Sequence, residues 1–329
     1  MLRFIIKRTL IMVPIIIGVI FIVFSINRLS PADPVAASLG STYTEEQYAK
    51  KEAEMGLDKP FFVQFFNYLK GIVTRFDLGT SYQSGTSVSE EVLRRLPTTV
   101  KLGLIGCLIT IVLGIPFGII SAKYQYSLAD YSVTVFSLIF ASMPAFWLGL
   151  MLIIIFSLNL KWFPASMASR FITWKHWVLP ALAIGLTPVA SITRLTRSSM
   201  LDVIRQDYIR TAKAKGVPEG PVVMKHALKN ALIPVITSLG LQLGMLVSGS
   251  VVVETIFSIP GLGSLITQGI SNADYPVVQG CVVILAAMIC VINLLTDIAY
   301  ALVDPRIMSQ YTSSRKRKKK APAARKEAV

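Results

Sequence analysis

Six stretches of this 329-residue chain are apolar over lengths that no soluble core requires: Thr9 to Asn27, Val100 to Ala122, Tyr131 to Leu160, Trp177 to Thr193, Ala231 to Val253 and Pro276 to Thr296. A bilayer core takes about 20 apolar residues of helix. Lipid offers no water to backbone N–H and C=O groups, so each such stretch has to satisfy its hydrogen bonds internally and becomes a helix. The sequence therefore predicts an all-α polytopic membrane protein with six transmembrane helices. Mean hydropathy of +0.61 with only 16% charged residues agrees with that class.

Prolines punctuate the spans. The third needs a tilt or a kink at Pro144, the fourth is short and interrupted by Pro180 and Pro188, and Pro14 and Pro116 lie inside the first and second. The first span follows Arg3, Lys7 and Arg8, as a signal peptide would. Its apolar region exceeds the length typical of signals, so it reads as a retained membrane helix.

Lys and Arg in the connecting segments set the orientation. With the N-terminus cytoplasmic, the inner segments carry 21 basic residues, and the short outer segments only 3. The positive-inside rule places both termini in the cytoplasm. Trp162, Trp174 and Trp177 then gather at the outer interface. The net charge of +15 is explained by topology, and nucleic acid is set aside as a partner. Cys107, Cys281 and Cys290 all fall within apolar runs and have no metal-ligand spacing.

One inner segment is far more charged than a short connection needs. DYIRTAKAKGVPEGPVVMKHALKNALIP, 207–234, carries Arg210, Lys213, Lys215, Lys225 and Lys229 between two apolar spans. Leu201, Ile204, Tyr208 and Thr211 or Ala212 fall on one face of a helix read continuously from Ser199. Gly216 can end that helix and Pro218 can open a second, carrying Val222, Val223, His226 and Ala227. A basic amphipathic segment of this kind either lies on anionic lipid or docks a cytoplasmic protein.

The order of residues favours docking. TAKAKG at Thr211 to Gly216 followed by LIP at Leu232 to Pro234 resembles the EAA loop of ATP-binding-cassette importer permeases. Thr211 and Ala212 stand at the two alanine positions and Gly216 at the glycine; Arg210 replaces the glutamate and Lys229 stands where a proline is expected. VVVETIFSIPGLGSLITQGISNADYPVVQG at Val251 to Gly280 is similar to the outer loop of dipeptide and oligopeptide permeases. SPADPV, MGLDKPFFVQFFNYL and FDLGTSY, within 30–82, resemble the long outer segment of their B-type subunit, and VDPRI at Val303 to Ile307 matches the usual chain end.

The resemblance implies a type I importer permease domain over 1–308 and a basic tail over 309–329. Its outer segment is 29–99, its coupling loop 199–230 and its outer loop 254–275. It implies import of di- or oligopeptides by alternating access, or of nickel complexes, glutathione or opine-like chelates by the same machine. Partners would be a second related permease, two ABC ATPase subunits and an extracytoplasmic substrate-binding protein, in the inner membrane of a prokaryote. The ATPase-coupling candidates are Arg210, Thr211, Ala212, Lys213, Lys215, Gly216, Pro218, Glu219 and His226. Candidates for the outer gate and binding-protein contact are Glu254, Phe257, Pro260, Gly261, Gly263 and Asp274.

Direct reading of the residues sets limits on the chemistry. No GxxxxGK[ST] loop is present to cradle phosphates, so no cofactor is expected on this chain, and ATP and Mg belong on the partner ATPases. His176 and His226 belong to opposite sides of the membrane and build no metal site. No paired carboxylates lie deep in the spans, against a self-sufficient proton-coupled carrier, and no Ser/His/Asp or HExxH constellation marks an enzyme. Glu254, at the outer end of span five, reads as a solvated or loop-bonded interfacial carboxylate before it reads as a substrate ligand. Thr237, Ser238, Gly240, Gln242, Gly244, Ser248 and Gly249 give span five small and polar positions; most suit helix packing, with Gln242 and Ser248 candidates for the transport path. The tail run RKRKKK at Arg315 to Lys320 suits anionic lipid.

Overall fold

The computed structural model describes residues 2–30, 33–40, 42–169 and 171–303. The segment 304–329, with the end of the permease domain and the basic tail, and the side chain of Glu219 lie outside what is described. Among the described residues the chain is helical, apart from one isolated bridge between Thr80 and Ser87.

Helix α1, Leu2–Leu29, is followed by three outer helices, α2 (Pro34–Leu39), α3 (Glu45–Met55) and α4 (Phe61–Arg75). Each starts or stops on a local signal. Asp33 caps α2 by accepting from Val35 N at 2.8 Å and Ala36 N at 3.1 Å, with Pro34 in the first turn. Thr44 and Gln47 form a reciprocal capping box on α3, and Gly56 ends it at φ 67°. Phe61 and Phe65 of α4 pack edge-to-face on Phe21 and Phe24 of α1, at centroid distances of 5.2 to 6.0 Å. Phe62, Phe66 and Val73 remain exposed on the other side of α4, which gives it the apolar face of a helix lying on a membrane surface.

The bundle proper consists of α5 (Val88–Lys123), α6 (Leu128–Ala141), α7 (Ala145–Leu152, running on as a π-helical stretch, Ile153–Asn159), α8 (Lys175–Gly185) and α9 (Val189–Ile204), then α10 (Asp207–Ala214), α11 (Glu219–Pro221), a π-helical turn (Val222–Ala227), α12 (Leu228–Ile256), α13 (Leu262–Ser271) and α14 (Tyr275–Val303). Four helices are long and apolar enough to cross a bilayer, and two bent pairs bring the number to six if each pair is one span. The bends are 99° between α6 and α7 and 58° between α8 and α9. They fall at Pro144 and Pro188, where the missing N–H and the restriction on the preceding residue stop a helix. The expected kink at Pro144 is thus a sharp break, while Pro180 lies inside α8, and Pro14 and Pro116 lie inside unbroken helices.

Close packing centres on α5. Gly106 and Gly118 face α8 and α9. A Cβ on Gly185 would stand 2.6 Å from the Gly106 carbonyl oxygen, and Thr110 Oγ1 donates to the Gly185 carbonyl at 2.8 Å. Association in lipid relies on such small-residue contacts because apolar burial gives little drive there. Gly185→Val is expected to destabilise the bundle by about 1–3 kcal/mol, since the obstruction is backbone. A fall in midpoint by thermal aggregation in detergent, absent for an exposed control such as Leu108→Val, checks this.

The two ends of the bundle are polar and tied. At one, Arg8 of α1 pairs with Asp297 of α14 at 3.0 Å. At the same end Asp130, in the first turn of α6, receives Nε and Nη2 of Arg197 from α9 at 3.1 and 2.9 Å, the Tyr126 N–H at 3.0 Å and the Ser121 hydroxyl. At the opposite end Asp274, before α14, accepts from Ser81 Oγ at 2.5 Å and Tyr82 N at 3.0 Å, fixing the outer segment to the bundle. Burial pushes the Tyr82 phenol up to about 12, with Asp274 adding to it. Lys101 lies 4.3 Å over the Trp177 ring rather than reaching outward alone.

Candidate coupling segment and outer cap

The basic inner segment folds as two short helices on an apolar platform. Ile209 of α10 is buried against Met200, Ala122, Val222, Val223, Ala227 and Ala231, with Ala212 half-buried beside them. Gly216, at φ 80°, reverses the chain, with its N–H on the Lys213 carbonyl at 2.9 Å and the Val217 N–H on that of Ala212 at 3.3 Å. Only a residue without a Cβ enters that left-handed conformation freely.

The continuous helix expected from Ser199 is interrupted. Gln206 is extended (ψ 150°), so α10 restarts at Asp207 out of phase with α9. The shift buries Ile209 and leaves Tyr208 exposed, its hydroxyl accepting from Asn230 Nδ2 at 2.8 Å. Arg210, Thr211, Lys213, Lys215, Gly216 and Pro218 lie on the surface and His226 is half-buried. Met224, 58% exposed, adds an apolar spot among them. The resulting surface is a basic rim around small and apolar positions, anchored from beneath.

The outer loop after α12 is a built cap. Glu254 is fully buried, and its carboxylate accepts from Ser250 Oγ at 2.9 Å, Gly263 N at 2.6 Å and Ser264 N at 3.2 Å. Thr99 of α5 takes the Leu262 N–H at 2.8 Å. Three of the N–H groups that a helix start leaves unpaired, those of Leu262, Gly263 and Ser264, are thereby satisfied, and a carboxylate stands at the positive end of α13. The carboxylate fills the space that a side chain on Gly261 would need.

The solvated option for Glu254 is corrected accordingly: it is a buried, loop-bonded helix cap. Of the residues expected to offer a contact to a binding protein, Pro260 is exposed, whereas Glu254, Phe257, Gly261, Gly263 and Asp274 are buried. They shape the cap from within. Phe257 fills the core against Gly149, and its carbonyl accepts from Met167 N at 2.8 Å, tying down the loop after the π-helical stretch. Read from the sequence, the 254–275 segment is a loop with no helix; the spacing of Leu262, Leu265, Ile266 and Gly269, all buried, is the signal for α13.

On α12, Leu241, Met245, Ser248 and Val252 form an exposed stripe at helical spacing, with Gln242 half-buried at its edge. Gly240 packs against Thr296 and Gly244 faces Asn293, so both are contacts to α14.

A helical bundle with four to six candidate membrane spans, a cap at one end and a platformed loop at the other, is that of a multi-pass membrane protein of the importer-permease fold. Among solved structures, it is similar to the inward-facing methionine ABC transporter MetNI, with a TM-score of 0.56 at 18% identity, covering 65% of this chain and 97% of that one. The chain belongs to the family described as binding-protein-dependent transport system inner membrane component, which matches residues 114–309, with its N-terminal region matching 1–103. Among its relatives, the oligopeptide transport system permease protein AppB of Bacillus subtilis (strain 168) is 42% identical over 315 residues, covering 93% of this chain and 99% of the relative. The dipeptide transport system permease protein DppB of Escherichia coli (strain K12) is 38% identical over 336 residues, and the glutathione transport system permease protein GsiC of Pectobacterium atrosepticum 40% over 307, each with 93% and 99% coverage.

Proposed function

We propose that this chain is the B-type transmembrane subunit of an ATP-driven importer of di- and oligopeptides. Near-full-length identity of about 40% to relatives named as dipeptide and oligopeptide permeases carries the reading. It sits in the cytoplasmic membrane of a prokaryote, with both termini and the 205–227 segment cytoplasmic. It works with a second related permease, two ABC ATPase subunits that bind ATP and Mg, and an extracytoplasmic binding protein.

The geometry supports a mechanism. Closure of the ATPases pushes on α10 and the Gly216 turn. The platform beneath them joins α5, α9 and α12, so the push reaches the spans and exchanges outward for inward access. The exposed stripe of α12 faces the path shared with the second permease. Glutathione, the substrate in the name of a relative 40% identical, is itself a short peptide and is the second cargo reading.

Gentle-detergent purification of the full chain tests the assembly: recovery of two ATPases and a second permease with peptide-stimulated ATP hydrolysis is expected, and a lone chain that transports after reconstitution overturns it. Gly216→Val, which costs about 1–3 kcal/mol of local strain, is expected to abolish most peptide uptake while the complex retains ATPase activity. Unchanged uptake in both Gly216→Val and Ala212→Lys would remove the coupling role of the segment.

A further inference from the structure

Beside the bundle, α1, the helices α2, α3 and α4 and the start of α14 line a half-open cavity of about 900 Å³. That is the upper part of the range for small-molecule sites, about 300–1,000 Å³. Two residues lining it, Asn27 and Tyr68, each hold a buried polar atom just beneath its wall, Nδ2 and Oη, without a hydrogen-bond partner among the described residues. Buried donors are almost always paired, so two orphans on one cavity are an unmet demand for acceptors.

They share a wall. Tyr68 of α4 stacks on Phe24 of α1 with centroids 6.3 Å apart, and Asn27 stands one turn further along the same helix. Arg28, next in sequence, also lines the cavity and brings a positive charge to its mouth. Burial, first, holds the Tyr68 phenol above its usual range, so it remains a neutral donor.

Helix α3 supplies the opposite charge. Glu52 lines the cavity, is half-buried, and its carboxylate makes no hydrogen bond or ion pair among the described residues. Two other acids line it: Asp33 is committed to Val35 N, Ala36 N and the Tyr48 hydroxyl at 3.0 Å, and Glu54 pairs with Lys51 at 3.4 Å. The cavity therefore sets donors and Arg28, which also donates to the Leu57 carbonyl, on the α1–α4 side, and on the α3 side a carboxylate, Glu52, beside the Lys51–Glu54 pair.

We propose that this cavity is an outer resting site for the zwitterionic backbone of a short peptide, with the terminal carboxylate on Asn27, Tyr68 and Arg28 and the terminal ammonium on Glu52. It rests on the peptide-import reading and adds a binding place in the permease itself, away from the α12 stripe.

The test uses the full chain in phosphatidylcholine nanodiscs, titrated calorimetrically with trialanine, its C-terminal amide and its N-acetyl form. Trialanine is expected to bind, and Tyr68→Phe, which keeps the ring stack, and Asn27→Leu to weaken it about ten-fold together. The amide should bind weakly to parent and variants alike, and Glu52→Gln should weaken trialanine but not N-acetyl-trialanine. Absence of trialanine binding, or equal binding by all variants, overturns the proposal. So does native mass spectrometry that finds a retained phospholipid lost in Tyr68→Phe, which assigns the cavity to a lipid headgroup. ATP-dependent dipeptide uptake by the assembled complex, measured in parallel, separates the two readings: uptake without trialanine binding removes only this site, and trialanine binding without uptake removes the importer function.

Discussion

Arg197→Leu is expected to destabilise the folded chain by about 3 kcal/mol or more, with a large loss of membrane abundance. The Asp130 side chain is 7% exposed and collects four donors from three places: the end of α5, the turn before α6, and α9. Removing the guanidinium leaves a buried carboxylate with its two strongest partners gone, which costs more than the pair contributes when intact. Arg197→Lys should recover only part of the loss, because an ammonium cannot reproduce the two-pronged geometry. Asp130→Asn with Arg197→Leu should be milder than Arg197→Leu alone. A double-mutant cycle on thermal-aggregation midpoints in detergent checks this; additive losses would show the pair to be uncoupled.

Glu254→Ala is expected to cost about 3–5 kcal/mol, by leaving the Gly263 and Ser264 N–H groups buried without an acceptor and a void where the carboxylate was, while the Ser250 hydroxyl keeps the Val247 carbonyl at 2.8 Å. Glu254→Gln keeps one acceptor oxygen in place and should lose less. Because α13 is seated on Thr99 as well, the cap should loosen locally before the bundle melts. Hydrogen exchange at Leu262–Ser271 is the decisive measurement: faster exchange confined to this helix in Glu254→Ala is the expected result, and unchanged protection would show that α13 holds without the cap.

The membrane spans were readable because the length of an apolar run is a property of one segment alone, and Pro144 and Pro188 broke helices where proline chemistry says they must. Features that depend on two segments were not readable. The run from Ser199 gives no sign that Gln206 leaves the helix, so the buried position of α10 was assigned to Tyr208 instead of Ile209. Glu254 looks interfacial until α13 folds back and presents its N–H groups to it. Of the small residues singled out in α12, Gly240 does pack closely, against Thr296 of α14, but the glycine contacts of α5 with α8 and α9 carry no such sign in the sequence, because inter-helix register is set only when the faces meet. The Gly216 turn and the second helix opened near Pro218 do follow from residue order.

Helix α5 has 36 residues, about 54 Å at 1.5 Å per residue, against a hydrocarbon thickness of about 30 Å. Thr99, about a third of the way along it from Val88, holds α13, and Ala122 at its far end belongs to the platform under α10. One continuous helix, with Pro97 and Pro116 inside it, thus touches both the cap and the platform. Thr99 and Ala122 are about 35 Å apart along it, so a tilt of about 5° shifts one contact by about 3 Å relative to the other. With the proposed topology, this helix is a lever whose two loads lie on opposite sides of the membrane.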